Sequence, residues 1–256
     1  MTMLACENLT VQVGHRTLVR NLSLKLRAGD LLGIVGTNGA GKTTLLRALV
    51  GLLPATQGRV ELAEKALAAW PARARAKLLG YLPQGHSVHW PLPGRDVVAL
   101  GRLPHGDAQT SSGRLAIEQA MDITDTTAFA ATTVQTLSGG ERARVMLARV
   151  LAGNPAALLA DEPLAALDPA HQLRMMALLQ RQASQGRAIG MVLHDLALAA
   201  RFCTRVAVLH QGQLLAEGPP ASVLTDHILA QAFGVRGVRL EHAGVACTIP
   251  WELADG

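Results

Sequence analysis

The sequence predicts an α/β fold built around a mainly parallel sheet. Two observations lead there. Leu31-Leu32-Gly33-Ile34-Val35 and the runs at 156–160 and 189–193 are short, apolar and bounded by turn residues, as strands covered on both faces are. Helical patterns separate these runs, and strands that alternate with helices pair in parallel.

The elements follow in order. Leu9-Thr10-Val11-Gln12-Val13 and Leu22-Ser23-Leu24-Lys25-Leu26 alternate apolar and polar residues, as half-buried strands do, with a turn at Gly14-His15 between them. After the 31–35 strand comes a glycine-rich turn. A helix is then predicted over 43–53, where Leu46, Leu49, Val50 and Leu53 fall at helical spacing and Pro54 is the stop. The alanine- and arginine-rich stretch 66–77, with Pro71 inside it, reads as one or two short helical pieces, and 78–82 as a further strand. From Gly85 to about Gln135 the texture changes. Prolines at 91, 93 and 104 accompany helical patterns near 97–101 and 115–121, which reads as a mostly helical insertion. A helix is expected near 169–185, and 206–209 with 213–216, joined at Gln211-Gly212, looks like a hairpin.

Composition bounds the function. A chain of 256 residues fits one large domain, or a core domain with one insertion. Its 49% hydrophobic and 17% charged residues supply a core and argue against disorder. Aromatics at 3% argue against a stacking-driven binder of single-stranded nucleic acid. No apolar run approaches the ~18 residues that cross a bilayer, and no N-terminal segment carries the pattern of an export signal. The expectation is a soluble chain that stays where it is made. Cys6, Cys203 and Cys247 form no CxxC pair, so neither a disulfide framework nor a zinc site is read, and a reducing compartment is the simplest inference. A net charge of +5 would allow a nucleic-acid or membrane-surface partner. Yet 20 of the 24 basic residues are arginines spread along the chain without a dense cluster, so the reading is a solvated surface and no nucleic-acid partner.

Three motifs carry chemistry. Gly36-Thr37-Asn38-Gly39-Ala40-Gly41-Lys42-Thr43 fits GxxxxGK[ST] between a predicted strand and a predicted helix, with Thr44 next in line. Its glycines let successive N–H groups curl around phosphate oxygens, and the helix beyond points its positive end at the same anion. Lys42 would neutralise the β- and γ-phosphates and the Thr43 hydroxyl would ligate Mg²⁺, so a nucleoside triphosphate is the expected ligand. Leu158-Leu159-Ala160-Asp161-Glu162 is an apolar strand ending in adjacent carboxylates, which repel unless a cation or proton sits between them. Asp161 would hold the Mg²⁺ shell and Glu162 would act as general base on the attacking water. Ala160 is less bulky than the aliphatic residue expected there. Leu137-Ser138-Gly139-Gly140-Glu141 opens a helical stretch that stops at Gly153-Asn154-Pro155; Ser138 is a natural N-cap, and the two glycines expose bare N–H groups as a second anion-binding surface. Gln84 and His194 follow predicted strands, at the edge where open α/β sheets bind ligands. His86, His89, His105, His171, His210, His227 and His242 read as structural, since their spacing does not resemble a metal cluster.

Taken together these motifs resemble the ATP-binding subunits of ABC transporters over nearly the whole chain. The likeness runs through the P-loop at 36–43, Gln84, the Leu-Ser-Gly-Gly signature at 137–141, the acidic strand at 158–162, Ala165-Ala166-Leu167-Asp168 and His194, in the family's order. The fold implied is a single domain over 1–256: a P-loop ABC ATPase core with a mainly parallel sheet, an N-terminal antiparallel β part, and an inserted helical subdomain at about 85–155. The resemblance also implies a head-to-tail homodimer holding two ATP molecules, each between one chain's P-loop and the other's Ser138, Gly139 and Gly140. Gln84 would contact Mg²⁺ or water and report to the membrane partner. His194 would hydrogen-bond the γ-phosphate, and Asp168 would couple the two sites. One departure is plain: the family usually has an adenine-stacking aromatic before the first-turn glycine, and here Val13 precedes Gly14. Residues 97–105 and the tail, with Gly218-Pro219-Pro220, Val223-Leu224-Thr225 and Phe233-Gly234-Val235, look like importers of iron–siderophores, haem and cobalamin. That subclass implies two permease subunits, an extracytoplasmic binding protein reached through them, and a peripheral place on the cytoplasmic face of the inner membrane. The alternatives are an exporter's ATPase or a soluble ABC ATPase outside transport.

Overall fold

Along each short apolar run the side chains alternate between two cores, which is what a strand covered on both faces requires. The computed structural model describes residues 1–85, 91–242 and 245–254, and places β3 (Leu31–Val35) where the sequence does. Leu31 and Val35 enter one core, Leu32 and Ile34 the other.

The chain begins with β1 (Thr2–Val13) and β2 (Arg16–Arg27), longer than their alternating segments suggest and paired antiparallel from Thr2–Arg27 to Val13–Arg16. After β3, helix α1 (Lys42–Leu49) ends sooner than expected. Gly51 at φ +75° and bonds from Gly51 N to Ala48 O and Leu52 N to Arg47 O close its last turn, so a glycine stops it before Pro54 can. Strands β4 (Gln57–Leu62) and β5 (Lys65–Ala66) were not legible in the sequence; they complete an antiparallel sheet ordered β2-β1-β4-β5. Then come α2 (Ala72–Leu78), β6 (Leu79–Leu82), and the helices α3 (Gly94–Ala99), α4 (Ser111–Ile123) and α5 (Gly139–Ala152), which lie against one another. The expected pieces at 66–77 resolve into a single 3₁₀ turn at Leu67–Ala69 followed by α2.

The remainder alternates: β7 (Ala157–Ala160), α6 (Pro169–Ser184), β8 (Ala188–Val192), α7 (Leu196–Phe202), β9 (Arg205–His210) and β10 (Gln213–Gly218). The central sheet is ordered β10-β9-β3-β8-β7-β6, parallel except for the antiparallel edge strand β10. The chain then adds α8 (Pro220–Val223), α9 (Asp226–Phe233) and a hairpin of β11 (Val235–His242) and β12 (Val245–Leu253), where sequence patterning suggests only a short tail. One core lies between the antiparallel sheet, α1 and one face of the central sheet; the other lies between the opposite face and α3–α7. His86 and His89 lie outside the described residues.

Candidate nucleotide site

The loop between β3 and α1 is shaped by what its glycines exclude. A Cβ on Gly36 would sit 2.3 Å from the carbonyl oxygen of Leu209, and one on Gly41, at φ +95°, 2.4 Å from that of Leu18. Any larger residue would push the loop off its neighbours in β9 and β2. Leu18, which sequence reasoning did not single out, thus forms a wall of the loop through its backbone. Lys42 is buried and its Nζ donates to the carbonyls of Gly36 at 2.7 Å and Thr37 at 2.9 Å. Burial pulls its ammonium below the usual lysine range, opposed by the nearby Glu162 and Asp161 carboxylates.

At the next strand ends stand the carboxylates. Asp161, just past β7, is fully buried; its Oδ1 accepts from the Thr43 hydroxyl at 3.2 Å and its Oδ2 has no partner. Burial raises its pKa, with the neighbouring Glu162 adding to the rise. A buried carboxylate oxygen left unbonded beside a hydroxyl ligand is the donor set a Mg²⁺ ion takes, so these residues fit that ion. Glu162 sits in the left-handed region at φ +52°, a strained backbone for glutamate. Its Oε1 lies 2.7 Å from His194 Nε2, and its Oε2 accepts from Gln84 Nε2 at 2.8 Å. The sequence offered these three as separate strand-end residues; the sheet brings them together, because Leu82 pairs with Ala160 and Ala160 with Met191. Fully buried Ala160 therefore stands between Leu82 and Met191 in the register.

Asn38, Gly39, Gly41, Lys42, Thr43, Thr44, Gln84, Glu162 and His194 line one open cavity of about 470 Å³ with Leu18. Ser138, Gly139, Gly140 and Asp168 do not line it. Ser138 caps α5 in a reciprocal pair that the sequence reading did not include: Glu141 N donates to Ser138 Oγ, and Ser138 N donates to Glu141 Oε2 at 2.8 Å. That backbone bond holds the Glu141 carboxyl below its ordinary value. A Cβ on Gly139 would face Ala166, and one on Gly140 would face Leu167 and the Ala166 carbonyl. Asp168 caps α6, accepting from His171 N at 2.8 Å, which lowers its pKa; His171 Nδ1 lies 2.9 Å from both its oxygens. Val13, at the first turn, is 49% exposed and does not line the cavity either.

The ABC transporter family profile matches residues 19–165. The hemin import ATP-binding protein HmuV of Thermobifida fusca is 42% identical over 252 residues, covering 97% of this chain and 88% of that protein. Its namesake in Pseudomonas aeruginosa is 42% identical over 245 residues, covering 94% and 96%. Among solved structures, a chain of an inward-facing ABC transporter described as of metal-chelate type superposes with a TM-score of 0.84 at 26% identity, covering 98% of both chains. A dimeric ATP-binding cassette, MJ0796, in a post-hydrolysis state with ADP and phosphate gives 0.76 at 27% identity, covering 85% of this chain and 99% of that one. With P-loop, acidic strand and signature all inside or beside the matched span, the chain is a nucleotide-binding ATPase and belongs to the ABC transporter family.

Proposed function

We propose that the chain is the ATP-hydrolysing subunit of a haem importer, acting as a homodimer beneath two permease subunits. The observation that carries this is a likeness running over almost the full length of proteins named for hemin import. Iron–siderophore and cobalamin uptake belong to the same metal-chelate class, and haem is preferred because it is the cargo in those names.

In this reading each residue has a task. Backbone N–H groups of 36–41, with Lys42, Thr43 and Thr44, grip the β- and γ-phosphates. Thr43, Asp161 and Gln84 would hold Mg²⁺, which supplies charge neutralisation across the phosphates. Glu162 takes the proton of the attacking water while Gln84 and His194 fix its carboxylate, and His194 reaches the γ-phosphate. Ser138, Gly139 and Gly140 stand apart from their own chain's cavity, which supports a head-to-tail pair in which they cover the partner's nucleotide. Asp168, at the head of α6, couples the two halves. We assign residues 85–155 as a helical subdomain within the single 1–256 domain. At its edge Leu103, 69% exposed, borders a groove of about 310 Å³ with Tyr81 and Arg149, a mixed apolar and polar surface that could seat a permease helix. Among the described residues no helix is long and apolar enough to cross a membrane. As the ATPase of such an importer, the subunit would sit peripherally on the cytoplasmic face of the inner membrane, with an extracytoplasmic binding protein acting through the permease.

The test is a pull-down of the tagged chain from detergent-solubilised native membranes, followed by reconstitution of what copurifies. A many-span permease whose vesicles take up haem at the expense of ATP is the expected result. ATP-driven uptake of another chelate would replace the substrate. Recovery with ribosomes or nucleic acid alone would overturn the transport role.

A further inference from the structure

A second cavity, of about 210 Å³, lies between α4, α5 and α6, apart from the nucleotide site. Arg144 on α5 and His171, Arg174 and Arg181 on α6 line it, with Asp125 its sole carboxylate. On α6 the spacing of His171, Arg174, Leu178 and Arg181 brings all four to one face. Arg144 is held from several sides: Nη1 donates to Asp125 O at 2.9 Å and Oδ2 at 2.6 Å, and the guanidinium lies 5.4 Å from the Phe129 ring centre. Its Nε is buried without a partner. Among the described residues Arg174 and Arg181 have no side-chain hydrogen bond or ion pair.

Exposed arginines along one helix are ordinarily a solvated face. Here a third guanidinium arrives from another helix, fixed and 13% exposed; the nearby carboxylates, Asp125 bonded to Arg144 and Glu141 within electrostatic reach of Arg144 and His171, leave the Arg174 and Arg181 guanidiniums without a bonded acid. Cations gathered in one concavity repel until an anion sits among them, and the guanidinium fork matches phosphate oxygens in pairs. We propose that Arg144, Arg174 and Arg181 form a phosphate-binding site distinct from the P-loop. Its ligand is a phosphate group, carried by a small soluble molecule or by a lipid head. The site spans the signature helix and α6, whose first turn holds His171 against Asp168.

The test uses the full chain carrying Lys42→Ala, so that the P-loop does not dominate, with pyrophosphate titrated in a calorimeter. Saturable binding is expected, weakened about tenfold for each guanidinium removed by Arg174→Gln and Arg181→Gln. Both side chains are exposed, and the thermal midpoint of each variant confirms that it folds. A second arm sediments the same chains with phosphatidylglycerol vesicles against phosphatidylcholine controls. Arginine-dependent pyrophosphate binding supports the site with a soluble ligand; arginine-dependent vesicle binding alone supports it with a lipid head. Binding whose affinity neither substitution weakens, or no binding in either arm, overturns it.

Discussion

His194 Nε2 lies 2.7 Å from Glu162 Oε1, and the two residues follow adjacent parallel strands, β8 and β7. Gln84, beyond β6 on the other side, bonds the second carboxylate oxygen. The carboxylate is thus oriented from both flanks before any substrate arrives, which is what a positioned general base needs.

Replacing Glu162 by Gln keeps the shape and removes the proposed base. Phosphate release should fall about a hundredfold or more, while ATP still binds and the chain accumulates as a dimer in size-exclusion chromatography with ATP. Turnover near that of the native chain would remove Glu162 from this role. His194→Ala should lower kcat about tenfold with ATP affinity retained, since the contact it loses is the one that orients the Glu162 carboxylate.

Lys42→Ala removes a buried ammonium that donates to two loop carbonyls. Calorimetry should then find ATP affinity reduced by about tenfold or more, the loss expected when a charge-assisted phosphate contact goes. Undiminished binding would refute the P-loop assignment.

Local signals made much of this legible. Strict alternation marks β2, an unbroken apolar run marks β3, and the P-loop needs only a strand before it and a helix after it. What stayed hidden depends on partners far along the chain. Gln84, Glu162 and His194 meet because Leu82, Ala160 and Met191 share a level in the sheet, and no single segment encodes that register. β4 is hard to read locally because Gly58 and Arg59 interrupt its pattern; its pairing comes from β1, whose Asn8 and Glu7 carbonyls leave no room for a Cβ at 58. β11 carries Gly237 and three charged residues along an exposed course, so its apolar period is weak.

Asp161 gives a prediction about stability. Its carboxyl is raised above the ordinary 3.8 by burial, so folding disfavours the ionised form in the nucleotide-free chain. The stabilising contribution is full below pH 3.8 and lost as the pH climbs through the raised folded value. Asp161→Asn should therefore raise Tm at pH 7, and the gain should shrink as the pH is lowered. Scanning calorimetry across pH checks it; a lower Tm for the variant at neutral pH would contradict it. The same variant should lose Mg²⁺-dependent hydrolysis.

The placement of the signature outside its own chain's cavity gives the last prediction. A Cβ on Gly139 would meet only the Ala166 Cβ, at 3.5 Å, an ordinary contact, and a carboxylate suits the first turn of a helix. Gly139→Asp should therefore fold and bind ATP at its own P-loop, yet present a negative charge to the phosphate that its glycines would cover. Alone it should be inactive, as should Lys42→Ala. Mixed, the two chains form some dimers in which the intact P-loop of the Gly139→Asp chain faces the intact signature of the Lys42→Ala chain. Random pairing then restores up to about a quarter of the native sites, read as ATPase activity absent from either variant alone. If each P-loop worked with its own chain's signature, mixing would restore nothing.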